Sequence, residues 1–214
     1  MALYSTTVRS GGWLSSGNLR EQLAAGMQGT VVVMGIGNAC RGDDAAGSRV
    51  ACEILEAPGV HVIDAQEVPE SYLGQATQHQ PDTIVLIDAV DLGSAPGSVA
   101  ILDKTQMAAY WPSTHRVPLG LLTDFLERAT RARVFLIAIQ PRQSALFQPM
   151  SVDVSRSVMA VADVLNDVFA DARRRGALEC GSGAAASESE PRQGARLRRK
   201  SAVCPAALQS ASRG

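Results

Sequence analysis

At 214 residues the chain has room for one domain of ordinary size with ends outside it, and not for two domains. A formal net charge of -1 argues against a general nucleic-acid or membrane-surface role, because both depend on a basic field. The hydrophobic share is 46% with only 4% aromatic residues, the aliphatic stock of helix-covered parallel sheets.

No apolar run approaches the roughly 20 residues of a membrane span. The opening of the chain lacks the charged start and greasy centre of a secretory signal, so the expected compartment is the cytoplasm. Cys40, Cys52, Cys180 and Cys204 form no CxxC pair and no zinc-like spacing, and they read as reduced thiols.

In chain order, residues 1–28 read as an N-terminal extension outside the main core, with one short helical stretch at 18–27. An apolar run predicts a buried strand at 31–36, closed by Gly37-Asn38. Asp43 and Asp44 then precede a helix expected over 45–55. Further strands are expected at 60–63, 83–87, 98–102 and 134–139, and helices at 70–77, 119–129 and 152–173. The connection into 98–102 is too short for a helical crossover, which predicts an antiparallel strand there. This alternation implies a three-layer α/β/α sandwich, a mostly parallel twisted sheet of about five strands, over a domain of 29–175. Residues 176–214 are small and polar around a basic cluster at 192–200, the composition of a solvated tail.

In an open parallel sheet, ligands gather at the carboxyl ends of the strands. Asp44 follows the first strand, Asp64 closes the second and Asp88 closes the third. Carboxylates gathered there repel one another unless a cation or a proton intervenes. His115 lies in a loop just before a helix, where an imidazole can reach back over the strand ends. Two carboxylates and an imidazole suit nickel, zinc or iron. Plainer roles compete: Asp43 or Asp44 capping the helix that follows, Asp64 tying a loop through backbone amides, His115 as a satisfied loop residue, and Asp91 as solvated loop. His61 is expected to be packed within its strand and His79 solvated. Gly35-Ile36-Gly37 after a strand also suggests a dinucleotide site, but Cys40 stands where the third glycine belongs, and Asp43 and Asp44 would repel a pyrophosphate.

Val33-Met34-Gly35-Ile36-Gly37-Asn38, followed by Gly42-Asp43-Asp44 and Gly47, resembles the signature of the maturation endopeptidases of nickel-iron hydrogenases, G-x-G-N and then G-D-[DE]-x-x-G. Ile87-Asp88-Ala89 with Ala95-Pro96-Gly97, His115 ahead of Pro118-Leu119, and Gln140-Pro141 after a strand are similar to further family segments in the same order. The resemblance covers about residues 31–170 and is nearest to the formate-hydrogenlyase-type (hydrogenase 3) branch. It implies a phosphorylase/hydrolase-like sandwich and an endopeptidase, aspartic-type or metal-dependent, that removes the C-terminal extension of a nickel-loaded large-subunit precursor. It further implies Asp44, Asp88 and His115 as catalytic and metal-contacting residues, and nickel or another divalent metal supplied by the substrate. Asn38 and Asp64 would bind substrate or support the site, and the enzyme would be a monomer without nucleic acid. Where the family has two glycines after the second-strand aspartate, this chain has Ala65-Gln66-Glu67, which implies a different specificity at that loop. A non-cleaving nickel-binding chaperone and a nucleotide-binding regulator are the alternatives.

Overall fold

The computed structural model describes residues 16–110 and 119–176. Five strands, β1 (Val31–Ile36), β2 (Val60–Gln66), β3 (Thr83–Ala89), β4 (Val99–Leu102) and β5 (Arg133–Ile139), form one sheet in the order β2-β1-β3-β5-β4. All pairs are parallel except β4 with β5. The short turn from β3 into β4 leaves no length for a crossover, so β4 runs back along β5 as its connection predicts. β1 is buried along its whole length, as is β3 from Thr83 to Asp88. That is what an aliphatic strand covered on both faces requires.

Strand alternation divides the core into two layers. Val31, Val33, Val85, Ile87 and Ile137 face α1 (Ser16–Gly26), α2 (Ala46–Glu53) and α6 (Val152–Arg174). Val32, Met34, Ile84, Leu86 and Leu136 face α3 (Leu73–Gln78), α4 (Lys104–Tyr110) and α5 (Leu119–Thr130). The result is the expected three-layer sandwich with a mostly parallel sheet.

Three local expectations need correction. The stretch placed outside the core is partly inside it: Leu19, Leu23 and Met27 of the α1 region, four apart, are buried in the α6 layer, each contributing about 2 kcal/mol of apolar burial. Arg20 of α1 adds an ion pair with Asp171 of α6. The helix expected at 70–77 is divided, because Pro69 opens a 3-10 turn over Pro69–Tyr72 before α3 begins. Helix α4 was not expected, although it starts with a capping box in which Gln106 N donates to Asp103 Oδ1 at 3.0 Å and Asp103 N donates to Gln106 Oε1 at 2.9 Å.

Candidate active site

From β1 the chain turns to β2 on one side, while β3 lies on the other. The loop after β1 leaves toward α2 on one face, and the chain beyond β3 leads to β4 and α4 on the opposite face. The carboxyl ends of β1 and β3 therefore flank a crevice at the point where the strand order reverses. Glycines let α2 close one wall. A Cβ on Gly47 would lie 2.0 Å from the Ile87 carbonyl oxygen and 2.4 Å from that of Ile36, and one on Gly35 would lie 2.3 Å from the Gly47 oxygen. Only glycine at both places allows the start of α2 to rest directly on β1 and β3. The 3-10 turn Gly42–Ala45, which carries both acids of the first motif, packs against β3 as a consequence.

The two neighbouring acids have separate fates. Asp43 is fully buried, and its carboxylate accepts hydrogen bonds from Arg142 N (2.8 Å), Gln143 N (3.2 Å), Ser151 N (2.6 Å) and the Ser151 hydroxyl (2.9 Å). It thereby locks the β5–α6 loop against the β1–α2 turn. Asp44 is half-buried and accepts from Asn38 N at 3.2 Å. Neither acid caps a helix: no side-chain cap is made at the 3-10 turn or at α2. Asn38 organises the turn itself, its side chain accepting from Cys40 N (2.8 Å) and donating to Glu67 (2.7 Å).

Asp88 lies within β3, at 2% exposure, and accepts from Ala89 N at 2.7 Å. By strand alternation it falls on the face of Ile84 and Leu86, opposite Ala138 of β5. The chain beyond β3 is fixed by Gln140, which is buried at the end of β5. Its side-chain oxygen accepts from Leu92 N (2.6 Å) and Ser94 N (3.2 Å), and its amide donates to Asp91 (3.2 Å). Asp91, expected to be plain solvated loop, is exposed but also accepts from Gly93 N at 3.0 Å. These two bonds hold its carboxyl below the usual range, the Gly93 amide first.

Asp44 thus lies in a turn packed against β3, and Asp88 lies near the end of that strand on the sheet face opposite α2. His115 lies outside the described residues, and among those described no group of three His, Cys, Asp or Glu side chains is placed to hold a metal. His61 and His79, expected to be packed and solvated respectively, instead stack on each other, with ring centroids 3.7 Å apart.

Residues 49–169 match the family model described as hydrogenase maturation protease. The chain belongs to the hydrogenase maturation protease family. It is 32% identical over 135 residues to the hydrogenase 3 maturation protease of Escherichia coli K12, covering 62% of this chain and 86% of that protein. To a putative hydrogenase maturation protease of Methanocaldococcus jannaschii it is 28% identical over 149 residues, 65% of this chain and 88% of the relative. The crystal structure of the [NiFe] hydrogenase maturation protease HycI from Thermococcus kodakarensis KOD1 superimposes with a TM-score of 0.65 at 30% identity, covering 70% of this chain and 99% of that one.

In this maturation protease the second-strand acid belongs to a neighbouring feature. Asp64 is half-buried, accepts from Gln66 N at 3.2 Å, and borders a cavity of about 480 Å³ with Asn38, Cys40, Arg49, Glu67 and Phe147. Asp44 and Asp88 are not among the lining residues of that cavity. The loop where the chain departs from the family's glycines keeps a glycine-like backbone: Gln66 takes φ +51°, and its carbonyl accepts from Gly37 N at 2.7 Å. Sequence reading missed the tethers Asp43, Gln140 and Ser151, because their partners lie far along the chain. The single available sign was that two adjacent acids cannot share one role.

Proposed function

We propose that this protease removes the C-terminal extension of the nickel-loaded large-subunit precursor of a nickel-iron hydrogenase, working in the crevice between β1 and β3. The observation that supports the reading is that the 3-10 turn bearing Asp44 packs against β3, the strand that ends in Asp88-Ala89. His115 is the third residue of the proposal. Its segment links α4 to α5, both of which pack on the sheet face to which Asp88 belongs.

Nickel is read here as part of the substrate, and two carboxylates with an imidazole form a donor set that suits it. Bound with the precursor, the ion supplies positive charge beside the scissile region. An acidic crevice of this kind favours loaded over empty precursor by differential binding. Asp44 or Asp88 accepts the proton released as water adds to the peptide carbonyl. Cys40 and Cys52, neither of them in a disulfide, fit a reducing, cytoplasmic setting.

The test is mass spectrometry of the precursor after incubation with the full-length chain, with and without inserted nickel. The wild type should shorten loaded precursor only. Asp88→Asn and His115→Ala should each slow processing by about 100-fold or more, with circular dichroism unchanged. Full activity of His115→Ala would remove that residue from the reading, and equal cleavage of nickel-free precursor would remove nickel recognition.

A further inference from the structure

We propose that Phe147, presented by the loop between β5 and α6, is a specificity-determining contact that receives an apolar side chain of the large-subunit precursor. The inference rests on the processing function just proposed.

Phe147 combines two features that folding alone does not explain. Its φ is +58°, a left-handed conformation that bulky residues rarely adopt, and yet it is 72% exposed. Glycine or asparagine would hold the same turn with less strain, and no core gains from the ring. Backbone strain kept in a well-anchored segment is a mark of a binding or catalytic role.

The anchoring is extensive. Asp43 holds both ends of the loop through Arg142, Gln143 and Ser151. Phe147 N donates to the Cys40 carbonyl at 2.6 Å, and the Gln143 side chain donates to the Pro149 carbonyl at 3.1 Å. The ring is therefore displayed from a fixed backbone, so little ordering is lost when a partner meets it. Leu146 (51%) and Val152 (65%) are exposed in the same chain region.

Position selects the occupant. The loop leaves β5 at the carboxyl edge, and Phe147 shares its cavity with Gly37 and Asn38 of the turn that leads to Asp44. Asn38 N of that turn donates to Asp44, so a precursor held at Asp44 has this wall beside it. An apolar side chain of that polypeptide is the chemistry that gains from an exposed, rigid phenyl ring.

The test compares wild type, Phe147→Ala, Phe147→Gly and Phe147→Leu, each full length, for processing kinetics and precursor binding. Phe147→Ala and Phe147→Gly should raise KM about tenfold, the size expected for loss of one aromatic contact, with kcat held within about twofold. Phe147→Gly should melt no lower than wild type because it relieves the left-handed strain. Phe147→Leu should recover most of the loss. Processing with unchanged KM in both truncations would overturn the contact and leave the processing function standing. Tight, Phe147-dependent binding of precursor without cleavage would do the opposite. Concentration-dependent dimerisation abolished by Phe147→Ala would assign the ring to a second copy of the chain and also overturn the proposal.

Discussion

The two loops that border the crevice use acids in different ways. After β1, the acids are adjacent: Asp43 is fully buried under four donors, while Asp44 stays half-buried at the crevice. After β3 they are three apart: Asp88 is the buried one, inside the strand, and Asp91 is the exposed tether. Burial is thus assigned to the tether in one loop and to the candidate site residue in the other. The comparison teaches that exposure does not sort acids by role. Asp43 is buried because its partners come from a loop 100 residues away that must be closed over it, whereas Asp91 only shapes its own turn with help from Gln140.

Asp43→Ala should give the largest loss of stability, because it strands four donors in a dry place. An unmet buried donor costs about 1–3 kcal/mol, and with partial relaxation a total of about 3–5 kcal/mol is expected from urea unfolding with an unchanged slope. Asp44→Ala, by contrast, should cost about 1 kcal/mol or less while abolishing processing. A loss under about 1 kcal/mol for Asp43→Ala would break the comparison at its stronger end. Gln140→Ala comes next. It leaves the buried Leu92 amide without its acceptor, at an expected cost of about 2 kcal/mol, and processing should fall because the chain beyond Asp88 is no longer fixed.

The sheet and its layers were legible because β1, β3 and β5 bury both faces and so appear as nearly uninterrupted apolar runs, while the short link into β4 dictates its antiparallel direction. The seating of α2 on β1 and β3 had a sign in the sequence too, since Gly35 and Gly47 frame the first glycine-rich motif. The division of labour between Asp43 and Asp44 was not, since Arg142 and Ser151 are remote partners and local spacing suggests only a helix cap. Helix α4 had a readable start in Asp103 and Gln106, and α1 had its spacing of four in Leu19, Leu23 and Met27. The helix at α1 was expected and only its docking in the core was missed, whereas α4 itself was overlooked, because polar neighbours diluted the apolar pattern. Phe147 gives no signal in sequence at all, because neither its φ nor its exposure is written in the residues around it.

Asp91 offers the smallest effect and the clearest sign. Its carboxyl lies below the ordinary range because Gly93 N and then the Gln140 amide donate to it. A depressed folded-state pKa means that the charged form is the one stabilised, so the contribution is complete above the unfolded value, about 3.9, and disappears as pH falls through the folded one. Asp91→Asn should therefore be slightly less stable than wild type at pH 7 and at pH 5, by the same margin. That margin should narrow below about pH 4 as the wild-type carboxyl takes up its proton, measured as the difference between urea midpoints. A margin that widens on acidification would mean that Asp91 is held neutral rather than charged, and the tether on this side of the crevice would then have to be ascribed to Gln140 alone.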